Sequence, residues 1–182
     1  MTRYLIFLTI ILLFGCGSEP IPPDNFTPAP VSDEAELLTR NAALFVTKPT
    51  TDAQRQRNEL IDYAIDQKIL LTEHPRGFFY HIVERGDGPT PAWGDRVTAN
   101  YQGSFLDGRY FDSSYQRGEP LSFLLGNMVP GWNFALQEFP VGTRAILLLP
   151  SEMGYGERGF GELIPPGTPL RFDLKVLDVE KQ

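Results

Sequence analysis

The sequence predicts an α+β fold in which antiparallel strands surround one short helix, and three observations carry that expectation. In Met128-Val129-Pro130-Gly131-Trp132, proline stands where a helix can begin without missing its N–H, and Trp132, Ala135, Leu136 and Phe139 then share one face that must be buried. Pro140 followed by Gly142 ends that helix. The strand-like runs on either side of Asp107-Gly108 are joined by the strongest short hairpin signal a sequence offers. Sixteen Pro and seventeen Gly in 182 residues favour turns over long helices, and thirteen Phe, seven Tyr and two Trp suit a pocket walled by rings.

In chain order, residues 1–15 read as a signal peptide outside the fold. Arg3 precedes an apolar run from Tyr4 to Phe14, shorter than the roughly 20 residues a spanning helix needs. The ending Leu13-Phe14-Gly15-Cys16 resembles the bacterial lipoprotein box, which implies that Cys16 is lipidated and becomes the first residue of the mature chain. Cys16 is the only cysteine, so no internal disulfide can form. Gly17 is not the acidic residue that retains lipoproteins at the inner membrane, so the expected address is the cell envelope, anchored by lipid at the periplasmic or surface face of the outer membrane. Residues 16–31 carry Pro20, Pro22, Pro23, Pro28 and Pro30 and read as a tether, reaching roughly 40–50 Å if extended as polyproline. Without Arg3 the chain holds 15 basic against 23 acidic residues, which argues against a nucleic-acid partner.

Residues 32–75 read as a helical extension. Ser32-Asp33-Glu34 can cap a first helix running to about Val46. Thr51 to Gln54 fits a capping box for a second, in which Leu60, Ile61, Ala64, Ile65 and Ile69 form one stripe through about Leu70. The extension either packs on the domain, with the chain a monomer, or forms a dimerising or client-holding arm. Residues 76–182 hold the main domain. Arg76-Gly77 turns into a strand from Phe78 to Glu84, Gly94-Asp95 opens another from Arg96 to Gly103, and further strands span 146–149 and 170–174. The loop 150–169 holds five glycines and four prolines, with Tyr155, Phe160, Leu163 and Ile164 as its large side chains, and is expected to fold over a pocket.

Several chemistries lack their parts. His74 and His81 are the only histidines and have no ligand cluster around them, so no metal or cofactor is expected. Neither sits near a nucleophile motif. Gly154-Tyr155-Gly156-Glu157-Arg158-Gly159 matches the glycine pattern of dinucleotide loops, but Gly161, Pro165 and Pro166 forbid the helix that would hold the phosphates.

Taken in order and spacing, Tyr101-Gln102-Gly103, Phe111-Asp112-Ser113-Ser114, Val129-Pro130-Gly131-Trp132, Met153-Gly154-Tyr155-Gly156, Ile164-Pro165-Pro166 and Leu170 to Leu174 resemble the FKBP-type peptidyl-prolyl cis-trans isomerases over roughly residues 78–180. The resemblance implies a strongly curved sheet wrapped around the helix of residues 130–139, and catalysis of X-Pro rotation in folding envelope proteins. It makes Trp132 the floor of the proline pocket and Tyr101, Phe111 and Phe172 its walls, with Phe123, Val129 and Ile164 at the rim beside Leu121 and Met128. Asp112 and Tyr155 match the polar pair that faces the twisting amide, and Arg117 matches the basic partner of that aspartate. Leu121 stands where many members carry an aromatic, Gly126-Asn127-Met128 is a shortened segment, and Phe160 replaces a residue that is often polar. The implied partners are proline-containing unfolded or partly folded polypeptides, the membrane through Cys16, and the family's macrolide inhibitors. The alternative is a peptide- or client-binding module with little turnover.

Overall fold

In the computed structural model, which describes residues 33–182, helix α1 (Glu34–Ala42) starts where Asp33 accepts hydrogen bonds from the backbone N–H groups of Ala35 and Glu36 at 2.9 and 3.2 Å. The expected signal peptide, Cys16, the expected tether and Ser32 lie outside the described residues. α1 stops short of the expected Val46 because the Asn58 amide takes both backbone groups of Val46, donating to its carbonyl and accepting from its N–H at 2.9 Å each. Helix α2 (Asp52–Asp66) has the expected capping box between Thr51 and Gln54. It also ends early: Lys68 turns left-handed at φ 56°, and this reversal still buries Ile69 completely. The span expected to be helical ends instead in a two-residue strand, a feature too short to leave a period in the sequence.

Seven antiparallel strands follow: β1 (Thr72–Glu73), β2 (Phe79–Glu84), β3 (Arg96–Ser104), β4 (Tyr110–Ser113), β5 (Leu121–Leu124), β6 (Arg144–Leu149) and β7 (Leu170–Glu180). They form one sheet in the order β1-β2-β6-β7-β3-β4, with β5 also on β3. β6 reads as a continuous apolar run because both of its faces are covered. Ala145, Leu147 and Leu149 face the cluster around helix α4 (Pro130–Ala135), which continues as a 3-10 turn to Glu138. Ile146 and Leu148 face the other way, into Leu60, Ile61 and Ala64 of α2. The apolar face of the central helix is buried as expected, with Trp132, Ala135, Leu136 and Phe139 at 1 % exposure or less.

The outer edge of β3 is shared. β4 pairs with residues 102–104 and β5 with residues 96–99, and between them the short helix α3 (Ser114–Arg117) interrupts the ladder. Ser114 fills that break: its hydroxyl accepts from the Tyr101 N–H at 2.9 Å and lies 3.2 Å from the Tyr101 carbonyl. This one buried serine satisfies the backbone of Tyr101 where no strand can. The predicted turn closes the β3–β4 hairpin, with Gly108 at φ 88° donating to the Phe105 carbonyl.

Candidate active site

The open end of the sheet and the start of α4 enclose a cavity of about 450 Å³. Tyr101 enters it from β3, Phe111 and Asp112 from β4, Leu121 from β5 and Phe172 from β7. Met128 and Val129 come from the segment leading into α4, Trp132 from α4 itself, and Tyr155 from the loop after β6. The rings meet edge to face. Tyr101 and Phe172 stand T-shaped against Trp132 at 5.1 and 5.3 Å, and Phe111 stands T-shaped against Phe172 at 5.6 Å. Such pairs are attractive in this geometry and hold stiff plates apart. Gly103 is required beneath them, because a Cβ there would lie 2.6 Å from the Phe111 ring.

One polar triangle sits at the mouth. Ser113 caps α3 and left-handed Gly118 ends it, which returns Arg117 over the site. Arg117 donates to one oxygen of Asp112 and, at 3.0 Å, to the Tyr101 hydroxyl; that hydroxyl donates in turn to the other oxygen of Asp112. Both carboxylate oxygens of Asp112 therefore accept, leaving a fixed negative group with no proton to donate. Burial first, and the Asp112 hydrogen bond second, push the Tyr101 phenol up to about 12. The Tyr155 phenol is also raised, by burial and then by the charge of Asp112, so it remains a neutral O–H donor at neutral pH.

Three sequence-derived site residues fall elsewhere. Phe123 is 8 % exposed and packs behind Trp132 at 5.7 Å, and Ile164 is 1 % exposed in the same core cluster, so both support the cavity rather than its rim. Nothing in a list of apolar residues separates a supporting one from a lining one. Arg117 reaches the site through Asp112 and Tyr101 instead of lining it. Asn127, which the sequence reading passed over as part of a shortened segment, does line the cavity. Phe160 is 56 % exposed, with its ring 5.2 Å from that of Tyr155. The indole N–H of Trp132 is buried and meets no acceptor among the described residues. Among the described residues no group of three His, Cys, Asp or Glu could hold a metal ion, and no helix is long and apolar enough to cross a membrane.

Residues 88–177 match the model of the FKBP-type peptidyl-prolyl cis-trans isomerase family. The chain is 44% identical over 133 residues to the FKBP-type peptidyl-prolyl cis-trans isomerase FkpA of Escherichia coli, covering 73% of this chain and 48% of that protein. It is 30% identical over 148 residues to the outer membrane protein MIP of Legionella longbeachae, covering 81% of this chain and 63% of that one. The chain thus spans about half of FkpA and under two thirds of MIP. The crystal structure of a peptidyl-prolyl cis-trans isomerase from Pseudomonas syringae superposes with a TM-score of 0.64 at 33% identity, covering 75% of this chain and 99% of that one. With three quarters of this chain matched at 33% identity across nearly the whole of that relative, and residues 88–177 matched by the family's own model, the chain belongs to the FKBP-type peptidyl-prolyl cis-trans isomerases.

Proposed function

We propose that this chain accelerates cis-trans rotation of X-Pro bonds in unfolded or partly folded polypeptides. The observation that supports this most is the ring-lined hollow over Trp132 with Asp112 and Tyr155 at its mouth. Rotation is slow because amide resonance sets a barrier of about 18–20 kcal/mol. Twisting uncouples nitrogen from carbonyl and leaves a less dipolar group, so an apolar hollow disfavours the planar amide more than the twisted one. Proline stacks on the Trp132 indole. Asp112 presents a fixed negative charge to the twisting carbonyl carbon, and the Tyr155 O–H donates to a neighbouring peptide oxygen. Lowering the barrier by about 6 kcal/mol gives roughly 10⁴-fold acceleration with no covalent intermediate.

The test is a peptide assay: the purified chain should speed isomerisation of a short Leu-Pro peptide far above buffer. A rate equal to buffer, with the peptide still bound, would assign the hollow to a client-binding module instead. The same cavity should take the family's macrolide inhibitors.

The cell envelope is the proposed location. The signal-like start, Cys16 and the likeness to a protein named for the outer membrane support it. In this reading residues 1–15 are removed, lipid on Cys16 holds a Pro-rich tether to residue 31, and residues 32–75 and 76–182 form the extension and the isomerase domain of a monomer. Loss of lipid label in Cys16→Ser, and sedimentation at monomer mass, check these points.

A further inference from the structure

The loop that carries Tyr155 leaves the sheet after Leu149 and returns to it at Leu170. Glycine and proline make it easy to turn, but nothing in its own composition fixes it in one place. Two of its backbone groups, one near each end, are held by a single side chain of α2. Gln56 accepts from the Ser151 N–H at 2.8 Å and donates to the Gly167 carbonyl at 2.9 Å, using both ends of one amide. The tie continues inward: the Gly167 N–H donates to the Gly156 carbonyl at 3.0 Å, and Gly156 follows Tyr155 directly. The amide lies on the sheet face opposite α4, since α2 covers Ile146 and Leu148 while Tyr155 points into the hollow with Trp132.

We infer that Gln56 is a positioning residue of the isomerase site: it clamps the loop so that the Tyr155 hydroxyl stands over the hollow before substrate arrives. The inference rests on the isomerase reading above and extends the site into a helix outside residues 88–177, the span that matches the family. A clamp of this kind does not touch substrate. It acts by restricting where one donor can be, and a small misplacement of a catalytic group can cost as much as 10²-fold in rate. It also makes the stability of α2 bear on catalysis, because Gln56 is held by the same helix that Arg57 ties to Glu73.

The experiment is a double-mutant cycle on the purified full chain, using a Leu-Pro peptide as the probe. Gln56→Met keeps the length of the side chain and loses both hydrogen bonds; it should lower kcat/KM about tenfold. In a Tyr155→Phe background the same change should cost less than about twofold, because the donor being positioned is already gone. Hydrogen exchange at the Ser151 and Gly167 amides should quicken while Ile146 stays protected, a local effect that a general loss of stability would not give. Arg55→Ala, on the solvent side of the same helix, should leave the rate unchanged. Gln56→Glu keeps the bond to Ser151 but sets a carboxylate against the Gly167 carbonyl; it should also slow the reaction, and it serves as the second variant if Gln56→Met folds poorly. A full rate in both Gln56 variants, or equal losses with and without the Tyr155 hydroxyl, overturns the clamp alone. An inactive wild-type chain overturns the isomerase reading and the clamp with it.

Discussion

The two faces of the sheet both bury apolar side chains and end in opposite states. Under α2, Leu60, Ile61, Ala64, Ile69, Leu71, Ile146 and Leu148 are branched or small, with Phe79 the one ring fully buried among them, and they close on each other. Over α4 aliphatic residues are joined by the rings of Tyr101, Phe111, Phe123 and Phe172 around Trp132, and a hollow of about 450 Å³ remains. Branched aliphatic chains adjust rotamers until they interlock. Rings locked edge to face have few torsions with which to collapse, so they can wall a space and keep it open. The difference teaches that side-chain shape, more than hydrophobicity, decides which face of one sheet becomes a core and which a site.

The largest test of that contrast removes the central ring of one face and an aliphatic of the other. Trp132→Ala should cost about 3–5 kcal/mol of stability and abolish isomerisation, as seen by melting and by the peptide assay. Leu60→Ala should cost about 2–5 kcal/mol yet lower the rate of the folded protein far less than Trp132→Ala does, its effect on the site passing only through the hold of α2 on the loop. If both lose activity equally below their melting points, the two faces are not separable as drawn.

Next come the polar groups of the open face. Tyr155→Phe should slow the reaction about tenfold, the worth of one hydrogen bond of roughly 1.4 kcal/mol, with melting unchanged. Asp112→Ala should slow it at least as much. Because both phenols are raised, Tyr101 to about 12, the rate should stay flat from pH 7 to 9; a decline below pH 9 would mean one of them ionises early.

A smaller effect probes the spacing of the rings. In Gly103→Ala the new methyl meets Phe111 at 2.6 Å, and overpacking of this kind costs about 1–3 kcal/mol. The displaced ring should weaken peptide binding more than it lowers the melting point.

The smallest effect belongs to the aliphatic face. Arg57 grips Glu73 through two hydrogen bonds of 2.6 and 2.9 Å, and the first of the causes acting on Glu73, that hydrogen bonding, holds its carboxyl below the usual value. A depressed folded-state value means the stabilisation is present above the unfolded value of 4.5 and is lost as pH falls through the folded one. Glu73 is partly exposed, so the loss should be at most about 1 kcal/mol. Melting at pH 7 and pH 3 should show it in the wild type and show less of it in Arg57→Met.

Much of this was legible in the sequence for local reasons. Pro130, the Thr51–Gln54 box and Asp107-Gly108 act through their own backbone, so they carry the same meaning in any fold. The cavity rings followed from order and spacing within a known pattern. What the sequence hid was long-range. Asn58 shortens α1 from twelve residues beyond Val46, and Gln56 reaches across more than ninety residues to Ser151. Phe123 and Ile164 carry the same side-chain chemistry as the lining residues and differ from them only in depth. β7 runs to Glu180, beyond the expected Leu174, because it must span the whole of β3, and a register shift between Thr98 and Ala99 absorbs the mismatch.

The place of β7 in the sheet also dictates when the hollow can exist. It is the last strand in sequence, yet it lies between β6 and β3 and brings Phe172 with it. During synthesis β3 emerges before β4 and β5, and β2 before β6, so these can pair, but the two pairings that join the β3 group to β6 wait for residues 170–180. The nascent chain therefore has no complete hollow to offer other proteins until residues 170–180 have emerged, and its assembly should be slow, as for any sheet built from distant partners.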